Sequence, residues 1–68
     1  MAFKIEIDRE DDGRWIAEIP SLPGVMAYGK TRNEAIAKVE ALTFRVLADR
    51  LEKRKMPAKP ATVTFAIA

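Results

Sequence analysis

The stretch from Ile19 to Ala35, IPSLPGVMAYGKTRNEA, constrains this 68-residue chain more than any other. Each of its punctuating residues acts by a separate mechanism. Pro20 has no backbone N–H, so it ends the central pairing of any strand that precedes it. Pro23-Gly24 suits the middle of a type II turn, where proline sets the first φ and glycine supplies the positive second one. Val25 to Tyr28 then reads as a short strand closed by Gly29. Thr31 and Glu34 have capping-box spacing. The Thr31 hydroxyl can accept from the Glu34 N–H, while the Glu34 carboxylate can reach back to the Thr31 N–H. The stiff connection therefore fixes where a third strand lands and where a helix begins.

Upstream, Phe3, Ile5 and Ile7 alternate with Lys4, Glu6 and Asp8, the period of a strand with one buried face. Asp12-Gly13 is a turn pair, because glycine accepts positive φ without steric cost. Alternation resumes with Trp15, Ala17 and Ile19 against Arg14, Ile16 and Glu18, which predicts a hairpin with a loop of about five residues. Trp15 falls in register with the core face.

Downstream, the helix is expected to run from Thr31 to about Arg54, roughly 35 Å at 1.5 Å per residue. Its large apolar residues span an arc of about 200°, wider than a core-facing stripe requires. Val39, Leu42 and Val46 fall on one side of the arc, Phe44 and Leu51 on the other. One sheet covers only part of such an arc, so Phe44, Leu47 and Leu51 are expected to meet another copy of the chain. Two prolines between Lys55 and Pro60 break the helix. Val63, Phe65 and Ile67 then alternate with Thr62, Thr64 and Ala66 in a β-branched-rich final strand. The order βββαβ predicts an α+β domain spanning 1–68: two layers, with one helix on a mixed four-stranded sheet.

Composition narrows the function. With no cysteine, disulfides and thiolate metal sites are excluded; with no histidine, the commonest general base is missing. A domain this small buries only about 60% of its unfolded surface, which favours a homodimer or higher oligomer. No apolar run approaches the roughly 18 residues of a membrane span. MAFKIEID is not a secretory signal, and a cytoplasmic protein is expected. Twelve basic and ten acidic residues leave a formal charge of only +2, but the distribution is uneven. Glu6, Asp8, Glu10, Asp11 and Asp12 crowd one end; Arg50, Lys53, Arg54, Lys55 and Lys59 crowd the other. The basic run could touch phosphates, or could simply complement the negative end of the helix dipole. Direct nucleic-acid binding stays open.

Glu6, Asp8 and Glu18 could share a face, as a metal-dependent phosphoryl site would need. Solvent-facing acids of an amphipathic hairpin account for them better. There is no glycine-rich phosphate loop, and Ser21 is the sole serine. No catalytic residue, metal or cofactor is assigned, and a non-enzymatic protein is expected. Tyr28 ends a short strand expected at the sheet edge, where a partner could add.

In the lead Ile5 to Asp8 and in DDGRWIAEIPSLPGVMAYGKTRNEA, followed by a long helix and a proline-marked return strand, the chain resembles the HicB antitoxin family. The combination of Asp12-Gly13, Ile19-Pro20, Leu22-Pro23-Gly24, Gly29, Thr31 and Glu34-Ala35 carries the resemblance, which runs from Phe3 onward. It implies a partial RNase H-like fold without the nuclease's active site. It also implies a type II toxin–antitoxin role, covering the active surface of a HicA-type RNA-cleaving toxin. Many members add a C-terminal DNA-binding domain, and this sequence reaches only the final strand. The alternative is a short solitary HicB-like module that binds nucleic acid or another protein. A toxin that holds RNA is basic, so Glu6, Asp8, Glu10, Asp11 and Asp12, with Tyr28, are the expected contact surface.

Overall fold

A computed structural model describes residues 1–53 and 62–68. Four strands and one helix follow in the order β1 (Ala2–Arg9), β2 (Trp15–Glu18), β3 (Met26–Gly29), α1 (Arg32–Glu52) and β4 (Thr64–Ile67). They form one mixed sheet of order β3-β2-β1-β4. β1 pairs antiparallel with β2 and parallel with β4; β2 pairs antiparallel with β3. The expected βββαβ arrangement is present. The helix crossover carries the chain past two strands, from one edge of the sheet to the other.

The alternation in β1 does what its period requires. Phe3 and Ile5 are buried against the helix layer, while Lys4, Glu6 and Asp8 are exposed on the other side. Ala17 and Ile19 continue the core, and Trp15 packs at its margin with the Arg9 guanidinium 5.4 Å from its ring centroid. Between the first two strands, Gly13 adopts φ +90°. Between the next two, the Val25 N–H donates to the Leu22 carbonyl at 3.0 Å and Gly24 has φ +85°. That is the type II turn the Pro23-Gly24 pair specifies.

Thr31 caps α1, its hydroxyl accepting from the Glu34 N–H at 3.1 Å. The Glu34 carboxylate reaches back to the Lys30 N–H at 3.4 Å, one residue earlier than the standard box. α1 ends at Glu52, with Lys53 as C-cap. The predicted stop at Arg54 and the proline break after Lys55 lie outside the described residues, as do Arg54, Lys55 and Lys59 of the basic run.

Ala35, Val39, Thr43 and Leu47 form the buried face of α1, at spacings of four. Thr43 fits there because its hydroxyl donates to the Val39 carbonyl at 2.8 Å, one turn back, so nothing polar is left unpaired. Leu47, expected at an oligomer contact, is instead only 5% exposed and belongs to the core. Its wheel position next to Thr43 and Ile36 puts it over the sheet. Phe44 and Leu51 do stay outside, at 51% and 41% exposure, and the Phe44 ring meets Phe65 edge-on at 5.7 Å. α1 packs mainly over β3 and β2, with little over β1.

Gly29 has a role that its place at a strand end does not reveal. A Cβ there would fall on the Ala35 backbone N, 2.9 Å from the Ala35 Cα and 3.0 Å from the Glu34 carbonyl carbon. The backbone of β3 and the first turn of α1 meet at this point, and only glycine admits the approach.

Candidate functional site: the open face of the sheet

One face of the sheet lies under α1; the other has no described element over it. Strand alternation sends Lys4, Glu6 and Asp8 from β1, Ile16 and Glu18 from β2, and Met26 and Tyr28 from β3 to this open face. The register arranges them in rows across the strands. Glu6 faces Glu18, which faces Met26; Asp8 faces Ile16, which faces Tyr28. The face is thus acidic over β1 and β2 and apolar over β3, where Met26 and Tyr28 are 41% and 40% exposed.

Two carboxylates directly opposite each other repel. Neither Glu6 nor Glu18 makes a salt bridge among the described residues. Asp8 accepts from the Arg9 N–H at 2.8 Å. At the hairpin tip, Asp12 accepts from the Arg14 N–H at 3.0 Å and pairs with the Arg14 guanidinium at 2.7 Å. That backbone hydrogen bond, with the guanidinium beside it, holds the Asp12 carboxyl below its ordinary range. Arg14 in turn lies over the Tyr28 ring, 4.4 Å from its centroid. Of the five predicted acids, Glu6 and Asp8 sit on the open face. Glu10, Asp11 and Asp12 belong to the turn beside it, and Asp12 is partly neutralised by Arg14.

Glu18, Ile16, Met26 and Arg14 were not among the predicted contact residues. Glu18 and Ile16 were visible as outward positions of the second strand. What could not be seen was that β3 pairs beyond β2, which brings Met26 onto the same surface as the acids and Tyr28. Among the described residues, no group of three acidic, histidine or cysteine side chains is placed to hold a metal ion. None of their helices is long and apolar enough to cross a membrane. Around the end of β3, Arg14, Tyr28, Gly29, Lys30, Glu34 and Lys38 line a shallow cleft of about 180 Å³.

Together these features define a small α+β domain with one sheet face under the helix and one with no described element over it. Its sequence is similar to UPF0150 proteins of two archaea. The Thermoplasma acidophilum protein is 29% identical over 58 residues, 84% of each chain. The Archaeoglobus fulgidus protein is 35% identical over 40 residues, 59% of this chain and 58% of that one. No family model matched the chain, and no solved structure did.

Proposed function

We propose that this protein is a HicB-like, non-catalytic antitoxin that binds a basic, HicA-type RNA-cleaving toxin through the open face of its sheet. The observation that carries the reading is the Glu6–Glu18–Met26 row: two opposed carboxylates beside an exposed apolar strand. Held in register by a central strand pair, these acids are preorganised for a cationic partner. A basic side chain placed between Glu6 and Glu18 would relieve their mutual repulsion, and Met26 and Tyr28 would supply apolar contact beside it. Such a protein would act in the cytoplasm, where the toxin cleaves RNA.

The test is binding of a HicA-type toxin to Glu6→Lys/Glu18→Lys. The association rate is expected to fall by about tenfold or more at low salt. An unchanged rate at low salt removes the open face from the reading. The cleft lined by Arg14, Lys30 and Lys38 supports a second one, a solitary module that binds nucleic acid. In that case binding weakens steeply with salt and responds to Lys30→Ala and Lys38→Ala, while the open-face acids have little influence.

A further inference from the structure

We infer that the free edge of β3 pairs antiparallel with β3 of a second copy, about a two-fold axis at Ala27. Three observations lead there. The first is the backbone. The Ile19 N–H donates to the Val25 carbonyl at 3.0 Å, so Val25 points toward β2. In an antiparallel ladder the direction alternates along the strand. Ala27 and Gly29 therefore also turn toward β2, while Met26 and Tyr28 direct their N–H and C=O groups outward from the sheet edge. Those groups are a template for another strand.

The second observation is the composition of the edge segment itself. Val25 to Gly29 contains no charge and no proline. Lysine, proline or a bulge is the usual protection of an exposed edge. The segment is also self-complementary. Centring the two-fold axis at Ala27 sets Met26 opposite Tyr28 of the second copy, twice over. That places a thioether beside an aromatic ring on the open face, and two small alanine side chains at the close approach on the other.

The third is charge. In one copy the row Glu6–Glu18–Met26 ends at the edge, and its two acids make no salt bridge among the described residues. Pairing extends that row to Tyr28 of the second copy, over whose ring an Arg14 guanidinium lies. Neighbouring strands are about 4.8 Å apart, so Tyr28 stands two strands, roughly 10 Å, from Glu18 of the other copy. The stacked Arg14 guanidinium lies 4.4 Å from that ring's centroid, beside the same extended face as the acids. Pairing thus adds a cation to the Lys4 that the single chain already places on this face. A continuous eight-stranded sheet results. Its open face carries both acidic patches with an apolar seam between them.

The experiment is sedimentation equilibrium of the whole chain, with amide hydrogen exchange read at the same concentrations. Wild type is expected to reach twice the 7.6 kDa chain mass at tens of micromolar. The Met26 and Tyr28 amides should become protected as the dimer fills. Met26→Lys and Tyr28→Lys, which put a charge on the edge without touching the core, should each raise the dissociation constant at least tenfold. Arg14→Glu should weaken the dimer, and more at low salt than at high. Phe44→Glu should leave it intact. A wild-type monomer at 100 micromolar overturns the inference. So does a dimer that survives both lysine variants and is lost with Phe44→Glu, which would assign the contact to the exposed stripe of α1. None of these readouts involves a toxin, so the result stands apart from the antitoxin reading.

Discussion

Replacing Gly29 by alanine tests the least visible constraint in the fold. The added Cβ meets backbone atoms of the first helical turn: the Ala35 N, the Ala35 Cα at 2.9 Å and the Glu34 carbonyl carbon at 3.0 Å. An ordinary contact begins near 3.4 Å, so α1 must retreat from β3 by a few tenths of an ångström or more. No flexible side chain can yield instead. Such a shift loosens Ala35, Val39 and Ile19, all essentially inaccessible to solvent. Overpacking of this kind costs about 1–3 kcal/mol, and a rigid backbone neighbour argues for the upper half of that range. A chain of this length has roughly 3–10 kcal/mol in hand. At about 4–8 °C per kcal/mol for a small domain, Tm should fall by roughly 8–24 °C.

Urea unfolding followed by the fluorescence of Trp15, the sole tryptophan, measures the loss. The mechanism makes a sharper demand. Ala35→Gly removes a side chain but leaves the backbone atoms that clash, so it cannot rescue Gly29→Ala. Gly24→Ala differs in kind: there the space is open and the strain is the positive φ of +85°. It should cost about 1–2 kcal/mol. A Gly29→Ala protein as stable as wild type, or one restored by Ala35→Gly, refutes the reasoning.

Other outcomes follow from the helix and its cap. Thr31→Ala removes the acceptor for the Glu34 N–H and should cost about 1 kcal/mol, read as a lower urea midpoint at unchanged m-value. Thr43→Val should change stability by less than about 1 kcal/mol. The Val39 carbonyl keeps its helical N–H donor, and the lost hydroxyl bond is offset by one fewer polar group in the core. Thr43→Val unfolding at room temperature would show that the hydroxyl does more than satisfy itself. The Glu34 carboxyl is held below its ordinary range, first by the Lys38 ammonium and then by the Lys30 N–H. Its folded-state pKa is therefore lower than its unfolded one. The stabilisation it gives is complete above the unfolded value and is lost as pH falls through the folded one. Tm measured from pH 6 down to pH 3 should decline less for Glu34→Gln than for wild type.

The short-range features of this protein were written in the chain itself. Period-two alternation marked β1, Asp12-Gly13 and Pro23-Gly24 marked two turns, and Thr31 with Glu34 marked the start of α1. The turns and the cap rest on interactions spanning four residues or fewer, and the alternation of β1 on the fixed period of a strand with one buried face, which is why the sequence exposes them. Other features depended on contacts between distant segments. Only the folded chain placed Leu47 inside, because the seating of α1 over β3 and β2 decides which part of a broad apolar arc meets the sheet. Only the register could set Glu6 against Glu18 and extend that row to Met26. Gly29 shows the division most plainly. Its residue type was in the sequence, but the reason for it is a backbone six residues ahead, brought close by the packing of helix on strand.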